Sequence, residues 1–147
     1  MHNSTFERLI DIIAPYYNYY AISIKYFGVQ TMAKVRVMYW KEIPAQIQAE
    51  DESGKVSLPL SDRFQQGIDA ISMFDGSVGN DEYLESWEWG EYFDVPGAPD
   101  FAAKTVAQLY NDRFPTDFIK RIRTLHKSKK RVPVAGVADE WMEENER

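Results

Sequence analysis

The stretch from Lys34 to Lys41 alternates residue by residue between two kinds of side chain, and no other feature constrains the fold as strongly. A repeat of two residues places successive side chains on opposite faces of an extended chain. The set predicted to face a core is Val35, Val37 and Tyr39, and the set predicted on a half-covered face is Arg36, Met38 and Trp40. The alternation therefore predicts a β-strand that belongs to a sheet.

A second alternation follows Pro44 and predicts a neighbouring strand. Ala45, Ile47 and Ala49 alternate with two glutamines and a glutamate, which is typical of a strand with one wet face. Residues 51–54 have the composition of a turn, and residues 55–59 predict a short extended piece that its proline keeps at a sheet edge. Residues 87–95 predict one further strand, with a bulge indicated at Gly90.

Three segments place apolar residues at helical spacing. They begin at Ser61 or Asp62, near Pro99, and at Thr116. Gly76 is expected to end the first helix and Pro115 the second. The resulting order, β-β-α-β-α-α, predicts an α+β fold in which a small, mostly antiparallel sheet has helices packed on one face.

The length of 147 residues is that of one domain with additional ends. Residues 1–31 are predicted to be an N-terminal extension that lies upstream of an alternative start at Met32. A short helix from Phe6 to Ile13 and an aromatic run over 16–20 fall within it, and the other interpretation is a docking segment. Residues 32–131 are predicted to form the domain, and residues 132–147 an acidic, weakly helical C-terminal tail.

Composition excludes several classes of protein. The chain has no cysteine, which rules out disulfides, thiolate metal sites and a cysteine nucleophile. No segment reaches the roughly 20 apolar residues that a membrane-spanning helix needs. The N-terminus lacks the basic start of a signal peptide. We therefore expect a cytoplasmic protein that does not associate with membranes.

No arrangement of residues in the sequence predicts catalysis. The Gly-x-Ser-x-Gly elbow and the glycine-rich phosphate loop are both missing, and neither of the two histidines has a partner for zinc or for a nucleophile. The acidic loop over 75–82 does not have the ligand spacing of a calcium-binding EF-hand, and turn formation explains its residues. No catalytic residue, metal ligand or cofactor is predicted.

Charge is unusually segregated along the chain. No lysine or arginine occurs between Arg63 and Lys104, a window that holds nine acidic residues, whereas residues 120–131 hold seven basic residues and no acidic one. A basic helix can contact phosphates. However, the net charge of −6 argues against nucleic-acid binding, because the protein as a whole repels a polyanion. The alternative is that basic residues complement the end of a helix and that the acidic segment folds against them.

Three tryptophans, Trp40, Trp87 and Trp89, are predicted on strands of one sheet. On an exposed face they would form a platform for a binding partner. The alternative is that they fill a small core, because large aromatic residues are highly buried on average. Arg36 shares the strand face of Trp40 and is expected to stack there as a cation–π partner.

Three segments carry a family resemblance: Val35 to Pro44, Leu60 to Asp69 and Tyr83 to Gly90. They resemble the bacterial "virulence factor" domain. A similar domain forms the C-terminal part of the staphylococcal conserved virulence factor C proteins. The resemblance covers roughly residues 32–130. It implies no established activity, and it links stand-alone members only loosely to folate- and corrinoid-dependent methyl transfer.

Two functional hypotheses follow, and they belong to different classes. The leading one is a non-enzymatic cytoplasmic module that binds another protein through a surface containing Arg36, Trp40, Lys41, Trp87 and Trp89. The alternative is an accessory subunit or small enzyme of one-carbon metabolism that binds an anionic small molecule. In that case the residues lining the site would be Arg36, Tyr39, Lys41, Glu42, Asp62 and Arg63, because clustered arginine and lysine hold carboxylate or phosphate.

Overall fold

A five-stranded antiparallel sheet forms the frame of the computed structural model, which describes residues 31–146. The strands are β1 (Met32–Trp40), β2 (Ile43–Asp51), β3 (Gly54–Pro59), β4 (Trp87–Trp89) and β5 (Phe93–Pro96). β1 lies at the centre, with β2 and then β3 on one side and both β4 and β5 on the other. The predicted α+β class with an antiparallel sheet is confirmed. The helix and aromatic run predicted before residue 31 lie outside the described residues.

The hairpin between β1 and β2 contains an irregularity that the sequence pattern does not reveal. The register shifts between Met38 and Tyr39, so that Met38 pairs with Gln46 while Tyr39 pairs with Pro44. Pro44 cannot donate a ladder hydrogen bond, and a bulge is one of the few places where a strand tolerates proline. The turn itself is short, and Lys41 adopts a left-handed backbone with φ of 51°.

The single strand predicted over 87–95 is divided into two. β4 pairs with the end of β1 near Trp40, and β5 pairs with its beginning near Met32. Between them, the Gly90 amide donates to the Val37 carbonyl at 2.8 Å. A Cβ atom at Gly90 would lie 3.1 Å from the Tyr39 ring, so glycine permits this close approach.

Four α-helices and one 3₁₀ helix complete the described chain: α1 (Asp62–Asp75), α2 (Asp81–Glu85), α3 (Pro99–Arg113), α4 (Phe118–Lys127) and the 3₁₀ helix (Val137–Glu146). Gly76 ends α1 with φ of 83°, as the sequence predicted. The inner face of the sheet, defined by Val35, Val37 and Ile47, is at most 2% exposed because α1 and α3 pack over it. Within residues 31–146, no helix has both the length and the apolar character to cross a membrane.

The segment after Lys130 packs against the rest of the fold. Ala138 and Met142 of the 3₁₀ helix are at most 1% exposed, and Trp141 lies with its ring centroid 6.1 Å from that of Phe114. At the surface, Arg121 donates to Glu144 at 2.7 Å. The described part of the region predicted as an acidic tail therefore contributes side chains to the hydrophobic core.

Gly67 on α1 lies directly against the Phe118 ring of α4, and this contact yields a stability prediction. A Cβ atom there would lie 2.3 Å from the Phe118 ring, which cannot easily move because it stacks on Phe64. We expect Gly67→Ala to lower the free energy of unfolding by about 1–3 kcal/mol through overpacking, despite a helix-propensity gain of up to about 1 kcal/mol. Urea denaturation measures the change.

The matched control is Gln66→Ala, at the neighbouring exposed position of the same helix. It should leave the unfolding midpoint nearly unchanged. Equal stability of the Gly67→Ala protein and the control would show that the contact between α1 and α4 is looser than described.

Candidate functional site

The nine residues predicted to bind a partner or ligand lie in separate parts of the fold. Arg36, Trp87 and Trp89 are on the outer face of the sheet, opposite the helix-covered inner face. Trp40 and Tyr39 are buried, Lys41 and Glu42 form the β1–β2 turn, and Asp62 and Arg63 begin α1. The structure thus offers two distinct candidate sites, one on the outer face and one at the turn.

On the outer face, the Arg36 guanidinium is held between two aromatic rings. It lies 4.1 Å from the centroid of the Trp89 ring and 4.7 Å from that of the Tyr92 ring. Such contacts between a cation and an aromatic face are attractive even at partly exposed positions. The predicted stacking of Arg36 therefore occurs on Trp89 and Tyr92 rather than on Trp40.

A hydrogen bond also restrains the Arg36 side chain. Its Nε donates to the Gln48 side chain at 2.8 Å. Interaction of the Tyr92 hydroxyl with the Glu50 carboxylate raises the pKa of Tyr92 and lowers that of Glu50. We call Arg36, Trp89 and Tyr92 the arginine–aromatic patch. Gln48 and Glu50 support this patch on the neighbouring strand.

Trp40 and Trp87 belong to a more enclosed part of the same face. They are a cross-strand pair, but Tyr83 of α2 covers Trp40, with ring centroids 5.6 Å apart. The Trp40 indole also donates to the Tyr83 carbonyl at 2.9 Å, and the side chain is fully buried. Trp40 is thus a structural anchor for α2, whereas Trp87 and Trp89 remain partly exposed.

Arg63 caps a helix instead of facing a ligand. Its guanidinium donates to four backbone carbonyls at the end of α3, at 2.8–3.4 Å: Tyr110, Asn111, Phe114 and Pro115. Carbonyls at the end of a helix lack a full set of intrahelical donors, and a cation there also complements the helix dipole. The neighbouring Asp62 is exposed in the first turn of α1.

Tyr39 belongs to a buried polar cluster that the sequence did not reveal. Its hydroxyl and that of Tyr110 both donate to Oδ2 of Asp139, at 2.5 and 2.7 Å. Burial, followed by the Asp139 charge, raises the pKa of both tyrosines. Burial also raises the pKa of Asp139 to about 6, although the two hydrogen bonds oppose this. Oδ1 of Asp139 has no hydrogen-bond partner among the described residues.

The β1–β2 turn contributes to a network of four buried charges. Lys41 donates to Asp75 at 2.8 Å, and Arg131 donates to the same Asp75 oxygen at 3.0 Å. Arg131 also holds both oxygens of Glu42, each at 2.7 Å. The four side chains are between 2% and 9% exposed, and their two positive and two negative charges balance. We call these four residues the charge quartet.

The quartet adjoins a cavity of about 310 Å³. Its lining residues are Lys41, Asp75, Glu82, His126, Lys129, Arg131 and Pro133. Of the residues predicted from the sequence, only Lys41 lines this cavity. Within residues 31–146, no group of three or more histidine, aspartate and glutamate side chains is arranged to hold a metal ion.

Sequence reasoning missed most of these residues, although one signal was available. Asp75 occupies the last position of α1, where the negative end of the helix dipole opposes a carboxylate. Such an acid needs compensating cations, and Lys41 and Arg131 supply them. Burial alone raises the pKa of Asp75, but hydrogen bonds from Lys41, Ser77 and Arg131 outweigh it and hold the pKa well below its usual range. Asp139 and Arg131 carried no comparable signal.

Comparison with known proteins finds one matching family. Residues 38–122 match a protein-family model described as "Virulence factor", which is more than half of the chain. The matched range contains Lys41, Glu42 and Asp75 of the charge quartet, together with Trp89 and Tyr92. No curated protein and no solved structure matches the chain.

Removing one member of the charge quartet should destabilise the fold strongly. Arg131→Met leaves Glu42 and Asp75 buried without their shared cation, and we expect a loss of about 3–5 kcal/mol in the free energy of unfolding. Urea denaturation tests this. Lys34→Met is the control, because the Lys34–Asp94 pair is 62% and 47% exposed and should contribute less than about 1 kcal/mol. Equal losses in the two variants would contradict the role of the quartet.

The raised pKa of Asp139 gives stability a specific pH dependence. The folded state binds the proton more tightly than the unfolded chain, so the contribution is full below pH 3.8 and is lost as pH rises to about 6. The difference between the pKa of 3.8 in the unfolded chain and about 6 in the folded protein corresponds to about 3 kcal/mol. Asp139→Asn stays neutral and can still accept both tyrosine bonds. Its free energy of unfolding relative to the original protein should therefore rise by up to that amount between pH 4 and pH 7.

Urea denaturation at several pH values measures this difference. Asp112→Asn, at an exposed position of α3, controls for the loss of one surface carboxylate. Parallel stability curves for the original and Asp139→Asn proteins would refute the assignment.

Proposed function

Because the chain belongs to the virulence factor family, whose name states no chemistry, we propose a function from its surface: it is a non-enzymatic protein-interaction module of the bacterial cytoplasm. The partner binds the outer face of the sheet, centred on the arginine–aromatic patch. The observation that carries this proposal is the stacking of Arg36 between two partly exposed rings, Trp89 and Tyr92.

The residue types of the patch support a binding role. Tryptophan, tyrosine and arginine are the residues that most often dominate the energy of protein interfaces. Here one of each is brought together from three points of the chain, on β1, on β4 and just before β5. Tyr92 remains 42% exposed, so part of the patch is accessible to a partner.

Preorganisation also supports the proposal. Arg36 is restrained by two rings and by Gln48, so its side chain has little rotamer freedom left to lose on binding. Ordering a flexible side chain at an interface costs roughly 0.5–1.5 kcal/mol, which a restrained arginine largely avoids. A partner that packs an aromatic or aliphatic group against Trp89 and Tyr92 would find the surface already formed.

The charges around the patch favour a protein over a nucleic acid. On the outer face, Lys34 pairs with Asp94 at 2.7 Å and Lys55 pairs with Glu50 at 3.6 Å. These pairs leave little excess positive charge for phosphates, and the chain as a whole carries −6. A mixed polar rim around an aromatic centre is the usual arrangement of a protein interface.

The alternative role in one-carbon metabolism has weaker support. The residues proposed for it do not line one cavity, since Arg36 is on the outer face and Arg63 caps α3. Tyr39 is enclosed with Tyr110 and Asp139. Of these residues, only Lys41 lines the cavity of about 310 Å³, and the Glu42 carboxylate is bound by Arg131.

Affinity capture from the native host tests the interaction, with quantification of each captured protein. A partner bound through the patch should be lost with Trp89→Ala and with Arg36→Ala. Removing a central residue of this kind costs about 2 kcal/mol or more, roughly 30-fold in Kd. Both variants must first be shown to fold by urea denaturation.

The control is Met73→Ala, which removes a 71% exposed side chain of α1. It should retain the partner at the original level. Failure to recover any partner, or equal capture by Met73→Ala and Trp89→Ala, would defeat the proposal.

A further inference from the structure

The cavity beside the β1–β2 turn has hydrogen-bond donors that its own acceptors do not use. Lys41 has three N–H donors, and two acceptors contact it, Asp75 at 2.8 Å and Glu82 at 3.2 Å. Arg131 has five donors, of which four are directed to Glu42, Asp75 and His126. Among the described residues, each cation therefore retains one N–H without an oxygen or nitrogen acceptor, and Lys41 Nζ also lies 4.8 Å from the centroid of the Trp40 ring.

The buried acid that lines the cavity, Asp75, is in contrast already saturated. One oxygen of Asp75 accepts from Lys41 and Arg131, and the other accepts from the Ser77 amide at 3.0 Å and hydroxyl at 2.6 Å. Both oxygens of Glu42 accept from Arg131. Asp75 therefore has no capacity left for a cationic ligand, and Glu42 does not line the cavity. The unused bonding capacity of the cavity is that of donors, which an anion satisfies.

Glu82 is the one acid that can be replaced. Its side chain is 59% exposed, and Lys41 is its only contact in the network, at the longest distance of the ion pairs there. An exposed pair of this kind contributes little free energy. A ligand carboxylate or phosphate could therefore take the place of Glu82 on Lys41, while Glu82 turns into solvent.

Most of the cavity lining is basic. Lys129, His126 and Arg131 all line the cavity. His126 presents Nδ1 to Arg131 at 3.5 Å, and if it accepts there, its other nitrogen is a donor. The neighbouring Lys127 and Lys130 are exposed, so their charges raise the local concentration of anions.

From this geometry we propose that the cavity is a binding site for a small anion that carries a carboxylate or phosphate group. The anion is held by Lys41 and Lys129, displaces Glu82, and is oriented by the free N–H of Arg131. The volume of about 310 Å³ suits a compact ligand, at the small end of known ligand cavities. The site is separate from the outer face of the sheet, so it does not depend on the proposed protein interaction.

Two-dimensional NMR of ¹⁵N-labelled full-length protein tests the site, with inorganic phosphate and succinate as separate probes at constant ionic strength. We expect saturable shifts at the amides of Lys41, Ser77 and residues 126–131. Tighter binding of phosphate would identify a phosphate ligand, and tighter binding of succinate a carboxylate ligand. No saturable shift with either probe at millimolar concentration would overturn the proposal.

Charge variants make the test specific. Glu82→Gln removes the competing carboxylate and should tighten binding by about two- to fivefold, whereas Lys129→Met should weaken it by a similar factor. The matched controls are Glu88→Gln and Lys104→Met, which make the same charge changes at exposed positions outside the cavity. Equal effects of each variant and its control would show diffuse electrostatic attraction and would also overturn the proposal.

Discussion

The apolar inner face of the sheet must be covered, and the arrangement of the remaining elements follows from this requirement. β1 and β2 present residues that are essentially unexposed, and helices α1 and α3 provide the cover. α4 then packs on α1, where Gly67 admits the Phe118 ring. Because these helices occupy the inner side, the opposite side of the sheet keeps partly exposed polar and aromatic side chains. The arginine–aromatic patch is a consequence of this one-sided packing.

The same packing encloses polar groups, and the fold compensates for them in two places. The charge quartet matches two cations with two carboxylates, while Tyr39 and Tyr110 converge on Asp139. In both places the compensating residue, Arg131 or Asp139, comes from the segment after α4. Burying a charge without a partner is unfavourable, so these polar contacts require that segment to be in position. The 3₁₀ helix and the segment before it are therefore integral to the interior.

Local patterns in the sequence predicted the sheet and the main helices because both obey simple periodicities. The alternation from Lys34 onward determined which side of β1 is buried, and Gly76 correctly marked the end of α1. The prediction was less accurate where contacts between distant parts of the chain determine the local structure. Trp40 is buried because α2 covers it, and the strand over 87–95 is interrupted where Gly90 approaches Tyr39.

The candidate sites were harder to predict than the fold. Arg36 and Trp89 were named in the predicted binding surface, with burial of the tryptophan as the alternative, but Tyr92 joins them through a bend between two strands. Arg131 reaches Glu42 across 89 positions of the chain, and no local pattern encodes such a contact. The one available clue was Asp75, a carboxylate at the unfavourable end of a helix dipole. Long-range charge pairing is visible only once the chain has folded.

The position of the compensating residues after the sheet and the α-helices has a consequence for biosynthesis. Domains begin to fold from the N-terminal side as the ribosome releases them. When residues up to Lys127 have emerged, the sheet and the α-helices can form, but Glu42 and Asp75 still lack Arg131, and two buried phenols lack their acceptor. The interior is then incomplete in its hydrogen bonding. Complete pairing of the interior must therefore await synthesis of the segment that contains Arg131 and Asp139, and until then Glu42, in the β1–β2 turn, lacks its cation.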